Sequence, residues 1–102
     1  MKIIELDAEK WTTLHDFYNA LLACIGAPKW HGMSIDALID SMIWGGINAV
    51  EPPYTIRIRN VGQLPKDVLN AVELAKSALA EGRADFNRRE GHDVEVQLEL
   101  VP

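Results

Sequence analysis

The sequence predicts a two-layer α/β fold: a three-stranded parallel sheet with helices packed on one face. Three observations carry this. The apolar periodicity runs in the order strand, helix, helix, strand, helix, strand, and helices lying between strands argue for parallel crossover connections. Two of the three strand segments alternate between apolar and polar residues, the pattern of a sheet with one dry and one wet face. The composition, 48% apolar and 25% charged in 102 residues, is that of a globular chain able to bury a core without staples.

Each element follows from a local signal. Residues 2–6 are short, rich in β-formers and bounded by Asp7, so they read as a strand. Residues 13–25 read as a helix, because Leu14, Phe17, Tyr18, Leu21, Leu22 and Ile25 recur at three- and four-residue steps. Thr12 or Thr13 caps its start; if Thr13 is the cap, Asp16 stands where a capping box puts its acid. Gly26 and Pro28 supply the stop. A loop over 26–33 leads into a short helix over 34–43, with Ser34 at the N-cap and Ile35, Leu38 and Met42 on its apolar side. Gly45, Gly46, Asn48, Pro52 and Pro53 mark a long turn. Tyr54, Ile56 and Ile58 then alternate with Thr55, Arg57 and Arg59 as a strand. Pro65 opens the next helix, whose stripe is Val68, Ala71, Val72, Ala75 and Leu79. That helix ends at Gly82, or runs on to about Glu90 because Phe86 keeps the phase. Val94, Val96, Leu98 and Leu100 alternate with Glu95, Gln97 and Glu99 as a last strand, and Arg57 and Arg59 are expected to pair with Glu95 and Glu99 across the sheet.

The totals exclude several classes. A net charge of −5 argues against nucleic acid as a partner, since phosphates demand a basic surface, and favours a basic protein partner. The lone cysteine, Cys24, allows no disulfide within the chain and fits a reducing compartment. It falls near an apolar stripe and reads as a core residue rather than a nucleophile. The amino terminus is too acidic and its apolar run too short for a secretion signal, and no run approaches the ~18 apolar residues of a membrane span. The expectation is one cytoplasmic domain spanning residues 1–102, monomeric when free, with no cofactor and no membrane association.

Residues 28–42 carry the functional signal. Trp30, His31 and Gly32 lie in a Pro- and Gly-framed loop that runs into the helix capped by Ser34. Asp36 and Asp40 are four residues apart and share a helix face, where like charges repel by ~0.2–0.5 kcal/mol. No Lys or Arg lies between Lys29 and Arg57 to offset them. Asp36 by itself has a structural explanation, because the helix dipole favours an acid in the first turn; Asp40 has none. Two unpartnered carboxylates beside two large exposed rings suggest a surface that meets a cationic one. Trp30 is either a core plug or an interface anchor, and Trp44, closing the helix, is placed beside the acid face. His31, Asp36 and Asp40 as metal ligands, or the two acids as an acid–base pair, make the enzyme alternative. It lacks support from any HExxH or CxxC pattern, and acids on an exposed helix form a ridge, not a cleft.

The run Gly32…Asp36-Ala37-Leu38…Asp40, preceded by the helix with Leu14, Leu21 and Pro28, resembles the barstar family of intracellular ribonuclease inhibitors. The resemblance spans nearly the whole chain. It implies a small α/β fold with a three-stranded parallel sheet, and a loop-and-helix surface that plugs the active site of a basic, guanyl-preferring ribonuclease. Carried over, Asp40 matches the central acid that replaces substrate phosphate, Asp36 a second acid, and Gly32 matches directly. Trp30 and His31 stand where the family has two tyrosines, Ser34 stands where it has an asparagine, and Trp44 is matched loosely. The family also uses an acid from a later helix, for which Glu73 is the candidate. The function implied is inhibition of a basic ribonuclease or related toxin through Trp30, His31, Gly32, Ser34, Asp36, Asp40 and Trp44. The alternative is an interaction or regulatory module that kept the fold and has another partner.

Overall fold

A computed structural model describes residues 2–102. Strand β1 (Lys2–Asp7) is followed by helix α1 (Leu14–Cys24) and helix α2 (Ile35–Ile39), which continues as a π-helical turn over Asp40–Trp44. Strand β2 (Tyr54–Arg59), a 3-10 turn (Val61–Gln63), helix α3 (Lys66–Glu90) and strand β3 (Val96–Leu100) complete the chain. The order of elements is the one the periodicity predicts.

The sheet is β1-β2-β3, parallel throughout, with β2 in the centre. The register aligns Ile4 with Ile56 and Leu98, and Leu6 with Ile58 and Leu100, as two rows on the face that meets the core. The opposite face carries the row Glu5, Arg57, Glu99. Arg57 donates from Nη1 to Glu5 at 3.3 Å and from Nε to Glu99 at 3.2 Å. Exposed pairs of this kind contribute ~0–1 kcal/mol each; their value here lies in register, since one cation sits between acids on both neighbours. The expected Arg59–Glu95 pair does not form. Arg59 instead faces Asp7 at 3.9 Å. Glu95 lies before β3 in a left-handed conformation (φ 55), outside the paired rows, because Asp93 captures its amide at 3.1 Å and bends the chain there. For the same reason the last strand starts at Val96 rather than Val94.

Between sheet and helices lie Phe17, Leu21 and Ile25 from α1, Leu38, Met42 and Ile43 from α2 and its π turn, and Val68, Val72, Ala75 and Leu79 from α3, all buried. Thr13, not Thr12, is the cap of α1. Its hydroxyl accepts from the Asp16 amide at 3.2 Å while its own amide donates to the Asp16 carboxylate at 3.1 Å, a complete capping box. Helix α3 runs unbroken through Gly82 and closes at Gly91, whose φ of 77° suits a residue without Cβ. Gly82 has a packing role instead. A Cβ there would stand 3.1 Å from Ile39 Cγ2 and 3.4 Å from Ile43 Cγ1, so its bare backbone is the seat on which α2 crosses α3.

Candidate partner-binding site

The loop and α2 are built from the residues that the pattern singled out. Ser34 caps α2, its hydroxyl accepting from the Ala37 amide at 3.1 Å. Leu38 and Met42 turn inward, which leaves Asp36 and Asp40 exposed. Neither carboxylate has an ion pair among the described residues. Trp30 is 75% exposed, an unusual state for an indole.

His31 behaves differently from the exposed ring expected of it. Only 9% of it is accessible. Its backbone amide donates to Pro28 O at 3.0 Å, closing a turn over 28–31. Its Nδ1 is 2.8 Å from Gly32 O and its Nε2 is 2.6 Å from Ser41 Oγ. The reason for burial is that a half-polar ring with both nitrogens partnered can enter the protein without leaving an orphan polar atom.

Trp30, His31, Gly32 and Asp40 come together, with Ala37 and Ile47, around a pocket of about 150 Å³. The pocket therefore combines one carboxylate, one exposed indole and apolar walls. Ser34, Asp36 and Trp44 do not line it. Trp44 packs on Phe86 at 5.0 Å, and Phe86 meets the edge of His92 at 5.3 Å. Ile47 carries no periodic signal in the sequence, standing between Gly46 and Asn48 in a turn. It reaches the pocket because the turn is hung from the end of α1, Ala49 N donating to Gly26 O at 3.1 Å and Val50 N to Ile25 O at 3.0 Å. Its one available signal was an Ile with no periodic neighbours to bury it.

Glu73 lies elsewhere. It lines a groove with Lys76, Ser77, Ala80 and Leu100 beside β3. Nine residues before Gly82 is about two and a half helical turns, so Glu73 occupies the side of α3 away from α2. Asp85 is bound to Arg88 at 2.8 Å and to Arg89 at 3.2 Å, whereas Glu81, next to the Gly82 seat, has no ion pair among the described residues.

Cys24 donates to Leu21 O at 3.1 Å, and burial pushes its thiol up to about 12, which leaves almost no thiolate at neutral pH. Among the described residues no group of three or more His, Cys, Asp or Glu stands close enough to hold a metal ion, and no helix is long and apolar enough to cross a membrane.

Comparison with known families assigns the chain to one of them. The family model described as Barstar (barnase inhibitor) matches residues 1–99. The chain belongs to the barstar family. The barstar match runs from β1 into β3 and takes in the whole loop-and-helix surface, so the fold and the candidate site fall inside one family pattern. No curated protein gives a significant match to the chain.

Proposed function

We propose that this protein inhibits a basic ribonuclease of the barnase type by covering its active site with the loop 28–33 and α2. The observation that carries the reading is the pair of unpartnered carboxylates, Asp36 and Asp40, set beside an exposed Trp30, with Asp40 at the wall of a pocket. A ribonuclease site is lined with cations that hold phosphate, and an acidic helix offers them the same charge. Docking would exclude water from the pocket. Two opposite charges 4 Å apart interact by ~1 kcal/mol in bulk water and ~4 kcal/mol at an effective dielectric near 20, so the acids gain most of their worth on contact. The opposite charges of the partners would also speed encounter.

In this reading Asp40 makes the main charge contact and Asp36 supports it from the exposed side of α2. Trp30 supplies the apolar anchor, and Gly32 lets the partner approach the loop backbone. Ser34 holds the helix start, and Trp44 braces α2 against α3. Glu81, rather than Glu73, takes the place of the family's late-helix acid. The protein acts as a monomeric, single-domain cytoplasmic binder, without catalytic activity or cofactor.

Calorimetric titration into a barnase-type ribonuclease tests the proposal. One-to-one binding is expected, with Asp40→Ala losing ~2–5 kcal/mol of it while thermal stability stays level or rises by a few tenths of a kcal/mol as the Asp36–Asp40 repulsion is relieved. Asp36→Ala should lose less. Wild-type binding that ignores Asp40→Ala would remove this surface from the interface. No binding by the wild type would reject the ribonuclease and favour another basic partner for the same acids.

A further inference from the structure

We infer that Ser41 is a positioning residue for the binding loop: acting through His31, its hydroxyl fixes the backbone that presents Trp30 and Gly32 beside Asp40. The inference takes its purpose from the inhibitor reading, but its geometry stands apart from it. Gly32 O can only accept, so the His31 nitrogen 2.8 Å away, Nδ1, carries the proton. Nε2 is then a bare acceptor, and the Ser41 hydroxyl at 2.6 Å is its donor. Ser41 Oγ also stands 3.5 Å from Leu38 O, a contact at the limit of hydrogen bonding. The hydroxyl has one proton to give, and the shorter, buried contact takes it.

The consequence is a tether. The loop folds on itself through His31 N to Pro28 O, and the imidazole then crosses from the loop to the π-helical turn. Ser41 is 3% exposed and His31 9%, so water does not compete well for either end. Ser41 follows Asp40 directly in the chain, so one turn of backbone holds both the acid and the anchor of the loop facing it. Trp30 and Gly32 flank His31, and fixing the ring fixes both. An apolar contact in place of this bond would hold the loop near α2 without setting the orientation of the ring. Ordering the loop before the partner arrives removes a cost that binding would otherwise bear.

Two measurements on the free protein test this. Long-range nitrogen–proton NMR correlation at pH 7.5 should find His31 in the Nδ1–H form in the wild type. Ser41→Ala should keep the fold, by circular dichroism, while hydrogen exchange at the His31 amide, which donates to Pro28 O, accelerates and the Nδ1–H preference weakens. Ser41→Thr, which keeps the hydroxyl, should restore both. In the titration against the barnase-type ribonuclease, Ser41→Ala should bind about tenfold more weakly. An Nε2–H tautomer in the wild type overturns the inference, and that readout needs no variant to fold. Unchanged exchange and affinity in Ser41→Ala overturn it as well. If the wild type fails to bind the ribonuclease, the inhibitor reading falls, while tautomer and exchange still judge the tether.

Discussion

Gly26→Ala separates two physical effects at the joint that shapes the pocket. Gly26 has φ +66°, and a Cβ built on it would lie 2.6 Å from Ala49 Cβ. The left-handed conformation costs an L-residue ~1–2 kcal/mol. The collision adds ~1–3 kcal/mol, the usual range for overpacking, because the Ala49 segment is held by hydrogen bonds to Gly26 O and Ile25 O and has little freedom to retreat. The loss of unfolded-chain freedom on Gly→Ala returns ~0.4–1 kcal/mol. The net destabilisation is about 1–5 kcal/mol. Gly91→Ala supplies the reference, since Gly91 has φ +77° with nothing within 4 Å of the added atom; it should show the backbone effects alone, ~1 kcal/mol. Ala49→Gly in the Gly26→Ala background should recover the steric part, so the double-mutant cycle has a coupling of ~1–3 kcal/mol. Urea unfolding followed by circular dichroism reads the four proteins of the cycle and Gly91→Ala. A cost for Gly26→Ala no greater than that for Gly91→Ala, or a cycle without coupling, would refute the argument. Because the same turn carries Ile47 to the pocket wall, Gly26→Ala should also weaken binding of the partner with no contact residue changed.

Other expectations follow from single groups. Arg83 donates to Asp93 from Nε at 2.7 Å, and the Glu95 amide donates as well, so the Asp93 carboxyl falls from 3.8 to about 2. A carboxyl lowered by folding stabilises the native state above its unfolded value and ceases to do so as pH falls through the folded one. Asp93→Asn should therefore lower the urea midpoint at pH 7 and converge with the wild type near pH 2; a pH-independent gap would contradict the pairing. Cys24, with its thiol raised to about 12 by burial, should resist a thiol reagent at pH 8 until urea is added, and rapid modification of the native protein would disprove its burial. Against the ribonuclease, Glu73→Ala should bind as the wild type does and Glu81→Ala several-fold more weakly. The reverse order would return the late-helix acid to Glu73.

Much of the molecule was legible before folding because its signals are periodic and local. The α1 stripe, the alternation of Tyr54–Arg59 and the Ser34 cap each depend on residues within a turn or two of one another; the cap forms and Phe17, Leu21, Leu22 and Ile25 are buried as read, while Leu14 at the start of the stripe is exposed and Thr55 is buried although it lies on the polar face. The acids Asp36 and Asp40 were legible for a related reason. Charges four apart on a capped helix share a face whatever the rest of the chain does, and the apolar side opposite them decides which face meets solvent.

What the sequence left open depended on contacts between distant segments. It determined, by itself, the three strands and three helices, their order, the apolar side of the helices and of the two later strands, and the acidic helix with Trp30 before it. Only the tertiary structure decided that Gly82 seats α2 rather than ending α3, because a glycine's role depends on what approaches its missing Cβ, here Ile39 and Ile43 some forty residues away. It alone turned His31 inward to Ser41, since a ring with two nitrogens is buried only where both find partners. It paired Arg59 with Asp7 rather than Glu95, because strand register is a property of the sheet and not of either strand. And it set Glu73 on the far side of α3, because distance along a helix becomes direction only when the helix is packed.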